Sequence, residues 1–264
     1  MMKTMTKHPL RITVDALKRA FLLEGFKLYD NGEYPELIRT DTDVKVFDNP
    51  AAIDRPVLVE SGEYAMRTQL LPFTLPKMGG PSDIYAAASG KVFDGADAAH
   101  PALLMVEGVI SSDLTFFDLR MLWKRIVKGA FGAAYDAELV ITGQEENAAD
   151  LSHWGKSGIK DTTLKKTATW EIKVTDPDGK AYALGYIGTM TWLGAALLGR
   201  DGNASPCYAF SINVDRAAGW WLGFDSCEKL YDNSQEMLGT FADGSVSATS
   251  VFEDRCRDIL RTLG

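Results

Sequence analysis

Cysteine, histidine and long apolar runs are all scarce in this sequence of 264 residues. The three cysteines, Cys207, Cys227 and Cys256, show no CxxC spacing, and an odd number argues against a disulfide framework and a thiolate zinc site. The three histidines stand far apart, at positions 8, 100 and 153, which disfavours a histidine-rich metal site. We therefore expect reduced cysteines that mostly fill space in the core, and no metal held by the protein.

The sequence also lacks an excess of positive charge and any membrane-spanning segment. The longest apolar runs, such as residues 195–198, fall far short of the roughly 18 residues that a span needs. Residues 1–8 are polar and contain no apolar core of a signal peptide. A net charge of −8 disfavours broad nucleic-acid binding but leaves a local basic patch open. Together these features predict a cytoplasmic protein.

Common catalytic and nucleotide-binding motifs are missing as well. There is no P-loop, GxGxxG, GxSxG, HExxH or EF-hand loop. The composition, 46% hydrophobic and 24% charged, is that of a globular chain, and neither a linker nor a repeat divides it. We expect one domain over residues 1–264, with residues 143–166 as a polar loop or insertion.

Apolar periodicity predicts helices at 11–25, 115–129, 214–221 and 252–263. The first carries a stripe of Leu10, Val14, Leu17 and Phe21, and the second opens on a capping box of Thr115 with Asp118. Shorter segments predict strands, at 44–47, 56–60, 64–68, 91–94, 103–110, 168–174, 182–189 and 208–212. Residues 176–179 (DPDG) predict a hairpin turn, and residues 77–82 a loop. The sum is an α+β domain, a mostly antiparallel sheet flanked by helices.

The order of four short segments is the most informative feature. HPL at 8–10 opens the first helix, and RTQLLP follows at 67–72. GKVF at 90–93 precedes DAAH at 97–100 and VEG at 106–108, and YAFSINVDR comes at 208–216. In this order they resemble the core of the class II aminoacyl-tRNA synthetases, specifically the phenylalanyl-tRNA synthetase α subunit. The resemblance covers residues 8–221 and is weakest at 143–166.

The resemblance implies amino-acid activation, in which a carboxylate attacks the α-phosphorus of ATP. Such an enzyme positions its substrates and sets cations against the developing charge. Arg216 matches the family's third-motif arginine, which makes it the candidate catalytic and ATP-binding residue. A structural pair between Arg216 and a carboxylate at the helix start is the alternative.

Other ATP-binding positions differ from the family. Where the family reads GRVYRRD, this chain reads GKVFDG at 90–95, so Lys91 is the remaining candidate for ATP. The family's magnesium-holding glutamate has no counterpart in residues 182–185, and Ser211 and Asn213 replace glycines that leave room for ATP. We therefore expect weakened binding of ATP and Mg²⁺, and we assign no cofactor.

The amino-acid pocket is partly kept. Glu107 matches the glutamate that binds the substrate's ammonium group, while Gln69 and Leu71 stand where the family has histidine and serine. The predicted substrate-binding set is Glu107, Gln69, Arg67, Met105, Leu71 and Phe210. In the alternative interpretation, Glu107 is a buried carboxylate of the sheet that pairs with Arg67.

Three hypotheses about function remain open. The first is a degenerate paralogue that binds a small amino-acid-like ligand and does not aminoacylate tRNA normally. The second is an active ATP-dependent ligase that takes its cations from elsewhere, such as Lys77 or Arg200. The third is a non-catalytic, dimeric interaction or regulatory subunit. We expect a homodimer, and the net charge together with the lack of the family's amino-terminal coiled-coil arm weakens the case for tRNA binding.

Overall fold

The computed structural model describes residues 8–30, 35–42, 44–59, 62–80, 82–96, 100–145, 167–200, 207–224 and 228–231. The predicted helix at 252–263, and with it Cys227, Cys256 and His153, lies outside these residues. None of the helices in the described ranges is long and apolar enough to cross a membrane.

The described chain contains five α-helices and ten strands. The helices are α1 (Pro9–Leu23), α2 (Leu71–Met78), α3 (Phe116–Phe131), α4 (Trp192–Leu197) and α5 (Val214–Leu222). The first five strands are β1 (Lys27–Asp30), β2 (Leu37–Arg39), β3 (Leu58–Val59), β4 (Tyr64–Met66) and β5 (Ile84–Phe93). The remaining strands are β6 (Ala102–Ser111), β7 (Asp136–Glu145), β8 (Thr167–Thr175), β9 (Ala181–Thr189) and β10 (Cys207–Asn213).

Seven strands form one sheet in the order β1-β5-β6-β10-β9-β8-β7. Every neighbouring pair is antiparallel except β1 with β5, which run parallel. Strands β2, β4 and β3 form a small separate sheet. The predicted α+β class with a mostly antiparallel sheet is therefore confirmed.

Helices α1, α3 and α5 cover one face of the large sheet, which we call the helix-covered face. The predicted stripe of α1 packs here against the chain's own core, with Leu17 and Phe21 fully buried. His8 caps α1 by accepting a hydrogen bond from the Leu10 N–H, and Gly25, at φ 82°, follows the helix end. Most of this stripe is therefore used in packing within the chain.

The opposite face, which we call the Glu107 face, is covered by α2, α4 and residues around Phe47. Leu71, Leu75 and Met78 of α2 pack there against Val109 of β6. The Phe47 ring lies so close to β9 that a Cβ on Gly188 would come within 2.9 Å of it. This face therefore has an apolar half under α2, beside the polar row described below.

Several predicted boundaries need correction. Residues 77 and 78 belong to helix α2, although the Gly-Gly-Pro content nearby predicted a loop. Residues 143–145 end strand β7, which the sequence analysis did not identify. Residues 44–47 form no strand, and Phe47 makes only an isolated bridge to Met190. Helix α4 was not predicted either, because it is only six residues long.

Candidate functional site

A row of four side chains crosses the Glu107 face. Glu107 of β6 pairs directly with Ser211 of β10, Ser211 with Tyr186 of β9, and Tyr186 with Glu171 of β8. Directly paired residues project to the same face of a sheet, so all four belong to one polar row. Three strand spacings separate Glu107 from Glu171, or about 14 Å.

Glu107 is 4% exposed, and its carboxylate is held at both oxygens. Oε2 accepts hydrogen bonds from the backbone N–H groups of Leu70, at 2.7 Å, and Leu71, at 3.1 Å. Oε1 accepts one from the Ser211 hydroxyl at 3.2 Å. The carboxylate thus has three intramolecular donors.

These contacts make Glu107 the cap of helix α2. The N-cap residue of that helix is Leu70, whose side chain has no acceptor for the first N–H groups. A carboxylate at this point satisfies two of those groups and lies at the positive end of the helix dipole. The segment RTQLLP is therefore joined to β6 by the hydrogen bonds that Glu107 accepts.

Arg67 is also buried, at 2% exposure. Its Nε donates to the carbonyl of Lys91 at 2.8 Å and its Nη1 to the carbonyl of Pro35 at 3.1 Å. Burial lowers the pKa of Arg67, while the negative charges of Glu36 and Glu107 raise it. The guanidinium thus connects the segment before β2 to β5, and it lies close enough to Glu107 for the two charges to interact.

The other predicted pocket residues on this face differ in their surroundings. Gln69 is half-buried and donates from Nε2 to the carbonyl of Val44 at 3.0 Å. Leu71 is buried in the apolar cluster under α2, and Met105 packs with Leu70 and Val92. Met105 and Leu71 thus flank Glu107 on two sides.

Phe210 lies on the other side of the sheet. Its ring stacks on Phe21 at 5.3 Å between centroids and meets Trp123 edge-on at 5.2 Å, on the helix-covered face. Side chains alternate along a strand, so Phe210 and its neighbour Ser211 project in opposite directions. The structure therefore separates Phe210 from Glu107, contrary to the expectation that both line one pocket.

Lys91 is likewise turned away from Glu107. It pairs directly with Leu104, whose side chain packs against the core of the helix-covered face. Asp94, at the end of this hairpin strand, folds back so that Oδ1 accepts a hydrogen bond from the Ala96 N–H at 2.9 Å. Within the described part of this hairpin, no cation projects to the Glu107 face.

Arg216 is exposed in the first turn of α5. Asn213 caps this helix, and its side chain accepts a hydrogen bond from the Arg216 N–H at 2.9 Å. Asn213 pairs with Met105, two residues along β6 from Glu107. The backbone of Arg216 thus lies near the Glu107 end of the polar row.

Glu171 is the residue that the sequence analysis missed. It is half-buried, and the described residues give it no hydrogen bond or ion pair. The resemblance places a second carboxylate on β9, whereas Glu171 lies on the next strand, β8. Only the register of β8 against β9 brings Glu171 to this face. No group of three histidine, cysteine or acidic side chains that could hold a metal occurs in the described ranges.

A cavity of about 470 Å³ lies at the other end of α2, away from Glu107. The carboxyl ends of α2 and α4 form it, with Gly79, Gly80 and Arg200 among its lining residues. The hydrogen-bonding chemistry of the polar row is at the amino end of α2, so we take the row and not this cavity as the candidate site.

Comparison with solved structures identifies the fold. Two structures of pyrrolysyl tRNA synthetase from Desulfitobacterium hafniense superimpose with a TM-score of 0.55 at 12% identity. One match covers 83% of this chain and 70% of that chain, and the other covers 90% and 77%. The chain therefore has the fold of a class II aminoacyl-tRNA synthetase catalytic core.

Sequence comparison gives the more particular relationship. The chain is similar to phenylalanine–tRNA ligase alpha subunits: it is 28% identical to that of Clostridium perfringens strain SM101, over 89% of this chain and 69% of the relative. It is 24% identical to that of Bacillus licheniformis, over 90% of this chain and 70% of the relative. No protein-family model matches it. The resemblance stated from the four segments is thus confirmed.

Proposed function

We propose that this protein binds a small amino-acid-like ligand on the Glu107 face and does not carry out normal aminoacylation of tRNA. It would be a synthetase-like paralogue whose ATP-binding positions have changed while part of the amino-acid pocket remains. The ligand's ammonium group would lie at the polar row, and Arg216 would meet its carboxylate. Met105 and Leu71 would supply apolar walls.

The observation that carries this proposal is the chemistry of the β5–β6 hairpin. The family's arginine is replaced by Asp94, whose carboxylate is turned into its own loop, and Lys91 projects to the helix-covered face. A charge-assisted hydrogen bond to phosphate is worth roughly 1.5–3 kcal/mol. Loss of one such hydrogen bond therefore weakens the binding of ATP by about tenfold to a hundredfold.

The alternative function is an ATP-dependent ligase that activates a carboxylate, and Glu171 favours it. Magnesium ions at nucleotide sites are held by one or two carboxylates together with the substrate's phosphates. Glu171 is a half-buried carboxylate on the site's own face, so it could serve such an ion. Arg216 would be the cation available to the nucleotide in this case.

Partners are a separate part of the proposal. The relatives' name, phenylalanine–tRNA ligase alpha subunit, implies tRNA and a second type of subunit for those proteins. For this chain we propose a homodimer and weak or absent tRNA binding, with a non-catalytic dimeric regulator as the further alternative. Light scattering at micromolar concentration tests the dimer, and a monomeric mass contradicts it.

A thermal-shift screen with amino acids, amines and nucleotides tests the ligand proposal. A ligand present at 100 times its Kd stabilises the folded chain by about 2.7 kcal/mol, which is a readily measured shift. We expect an amino acid or related amine to raise Tm and ATP to leave it unchanged. A shift with ATP and Mg²⁺ alone would favour the ligase.

Glu107→Gln then tests the site itself. The amide keeps an oxygen for the Leu70 and Leu71 N–H groups but loses the negative charge that attracts an ammonium group. We expect the ligand-induced shift to disappear while most of the unliganded stability remains. Glu138→Gln is the matched control, because Glu138 pairs with Lys173 at 3.2 Å on the sheet's outer strands. Equal ligand shifts in both variants would contradict the proposed site.

A further inference from the structure

The polar row becomes more exposed along its length. Glu107 and Ser211 are 4% and 3% exposed, whereas Tyr186 and Glu171 are half-buried. The row is therefore closed at its Glu107 end and open to solvent at its Glu171 end. A ligand that lies along the row with an ammonium group at Glu107 directs its other end toward Glu171.

Glu171 is the carboxylate of the row whose hydrogen-bond acceptors are not used within the described ranges. It has no hydrogen bond or ion pair there, whereas Glu107 accepts three hydrogen bonds. Lys173, the next residue on the same side of β8, pairs with Glu138 at 3.2 Å. The hydroxyl of Tyr186, which pairs directly with Glu171 across the strands, also has no hydrogen bond to the described residues. The open end of the row thus offers a charged acceptor and a hydroxyl to a ligand.

We propose that the ligand is a basic amino acid and that Glu171 binds the cationic group at the end of its side chain. This inference rests on the proposed binding of an amino-acid-like ligand at Glu107. The ligand's side chain runs across the Tyr186 ring, which packs against the apolar cluster under α2. Two strand spacings, about 10 Å, separate Ser211 from Glu171, a distance that a side chain of lysine's length and the glutamate side chain bridge together.

The same carboxylate disfavours a ligand with an apolar side chain. An apolar group placed against Glu171 removes water from the carboxylate and offers no hydrogen bond in return, which costs free energy. An ammonium group instead donates a charge-assisted hydrogen bond, which is stronger than a neutral one. Glu171 thus determines specificity both by attracting a cation and by rejecting an apolar group such as the side chain of phenylalanine.

Calorimetric titration of the full chain with lysine and with norleucine, in EDTA and without nucleotide, tests the proposal. Norleucine is lysine without its terminal amino group, and EDTA prevents Glu171 from acting through a magnesium ion. We expect lysine to bind about tenfold to a hundredfold more tightly, as one charge-assisted hydrogen bond provides. Equal affinities, or tighter binding of norleucine, would overturn the role of Glu171 and leave the amino-acid site at Glu107 intact.

Binding of neither ligand would overturn the proposal as well. The thermal-shift screen then separates the two failures. A shift with another amino acid would retain the proposed function, and no shift with any amino acid or amine would end both. Cadaverine, which has both amino groups of lysine but no carboxylate, should bind more weakly than lysine, because Arg216 then has no carboxylate to meet. Equal or tighter binding of cadaverine would overturn the choice of an amino acid as ligand.

Glu171→Gln tests the residue itself, because it keeps the length of the side chain and removes its charge. We expect the affinity for lysine to fall about tenfold or more and that for norleucine not to fall. Glu24→Gln is the matched control, since it removes the same charge on the helix-covered face, where Glu24 pairs with Arg125 at 2.8 Å. Equal losses of lysine affinity in both variants would show general attraction of cations to an acidic chain and overturn the proposal. The comparison of lysine with norleucine on the parent chain decides the question if Glu171→Gln fails to fold.

Discussion

The two faces of the large sheet are stabilised by different kinds of contact, although neighbouring residues of the same strands contribute to both. On the helix-covered face, Phe210 packs among aromatic rings from α1 and α3. One residue further along β10, Ser211 donates to a buried carboxylate on the Glu107 face. One face is thus stabilised by apolar contacts, and the other depends on charged groups whose hydrogen bonds must all be made.

This difference indicates where the chain can change without unfolding. An aromatic core tolerates few substitutions, since a cavity or a clash costs stability directly. Substitutions in a polar row can change which ligand it binds without unfolding the chain, provided that the buried polar groups keep their hydrogen-bond partners. Met105, Ser211 and Asn213 project to the same face of the sheet as Glu107.

Phe210→Ala should have the largest effect. It removes a fully buried ring from the centre of the aromatic cluster, and such truncations cost about 3–5 kcal/mol. Urea denaturation measures the change, with Phe117→Ala as the control, since Phe117 is 66% exposed and should shift stability by no more than about 0.5 kcal/mol. Similar losses in both variants would mean that the helix-covered core is not packed as described.

Glu107→Ala should come next. It leaves the Leu70 and Leu71 N–H groups buried without an acceptor, and each unsatisfied group costs about 1–3 kcal/mol. Glu107→Gln should cost less, because its oxygen can still accept from these amides. The same urea measurement compares the two variants. Equal losses would show that the charge, and not the helix cap, is what Glu107 contributes to stability.

Thr115→Ala should have the smallest effect of the three, about 1 kcal/mol, because it removes the N-cap of α3 on the surface. Hydrogen bonds from Thr115 lower the pKa of Asp118, its partner in the capping box. This contribution is present above the ordinary pKa of aspartate and is lost as the pH falls through the folded value. Stability of Thr115→Ala should therefore depend less on pH below about 4 than that of the parent chain.

Local signals in the sequence predict most of the helix-covered face. The capping box of Thr115 with Asp118 and the stripe of α3 locate that helix to within two residues at its C-terminal end. The turn at 176–179 is confirmed as well, with Gly179 at φ 82°. These features depend on residues close together in the chain, where periodicity and turn chemistry are informative.

Features that depend on pairing between distant strands could not be obtained in this way. Glu171 reaches the site only through the register of β8 on β9, and the assignment of Phe210 to the pocket ignored the alternation along β10. Helix α2 was obscured by Pro72 and Pro76 within it, and its cap is supplied by Glu107, 36 residues further along the chain. Neither the site nor its support can be read from one segment.

Amino-acid-dependent exchange of pyrophosphate into ATP is the most direct test of the central claim that the site binds a ligand without normal activation. The parent chain should show no exchange with phenylalanine, while a ligand from the thermal-shift screen still raises its Tm. Robust exchange with phenylalanine, lost in Glu171→Gln and kept in Glu138→Gln, would contradict this account and establish the ligase.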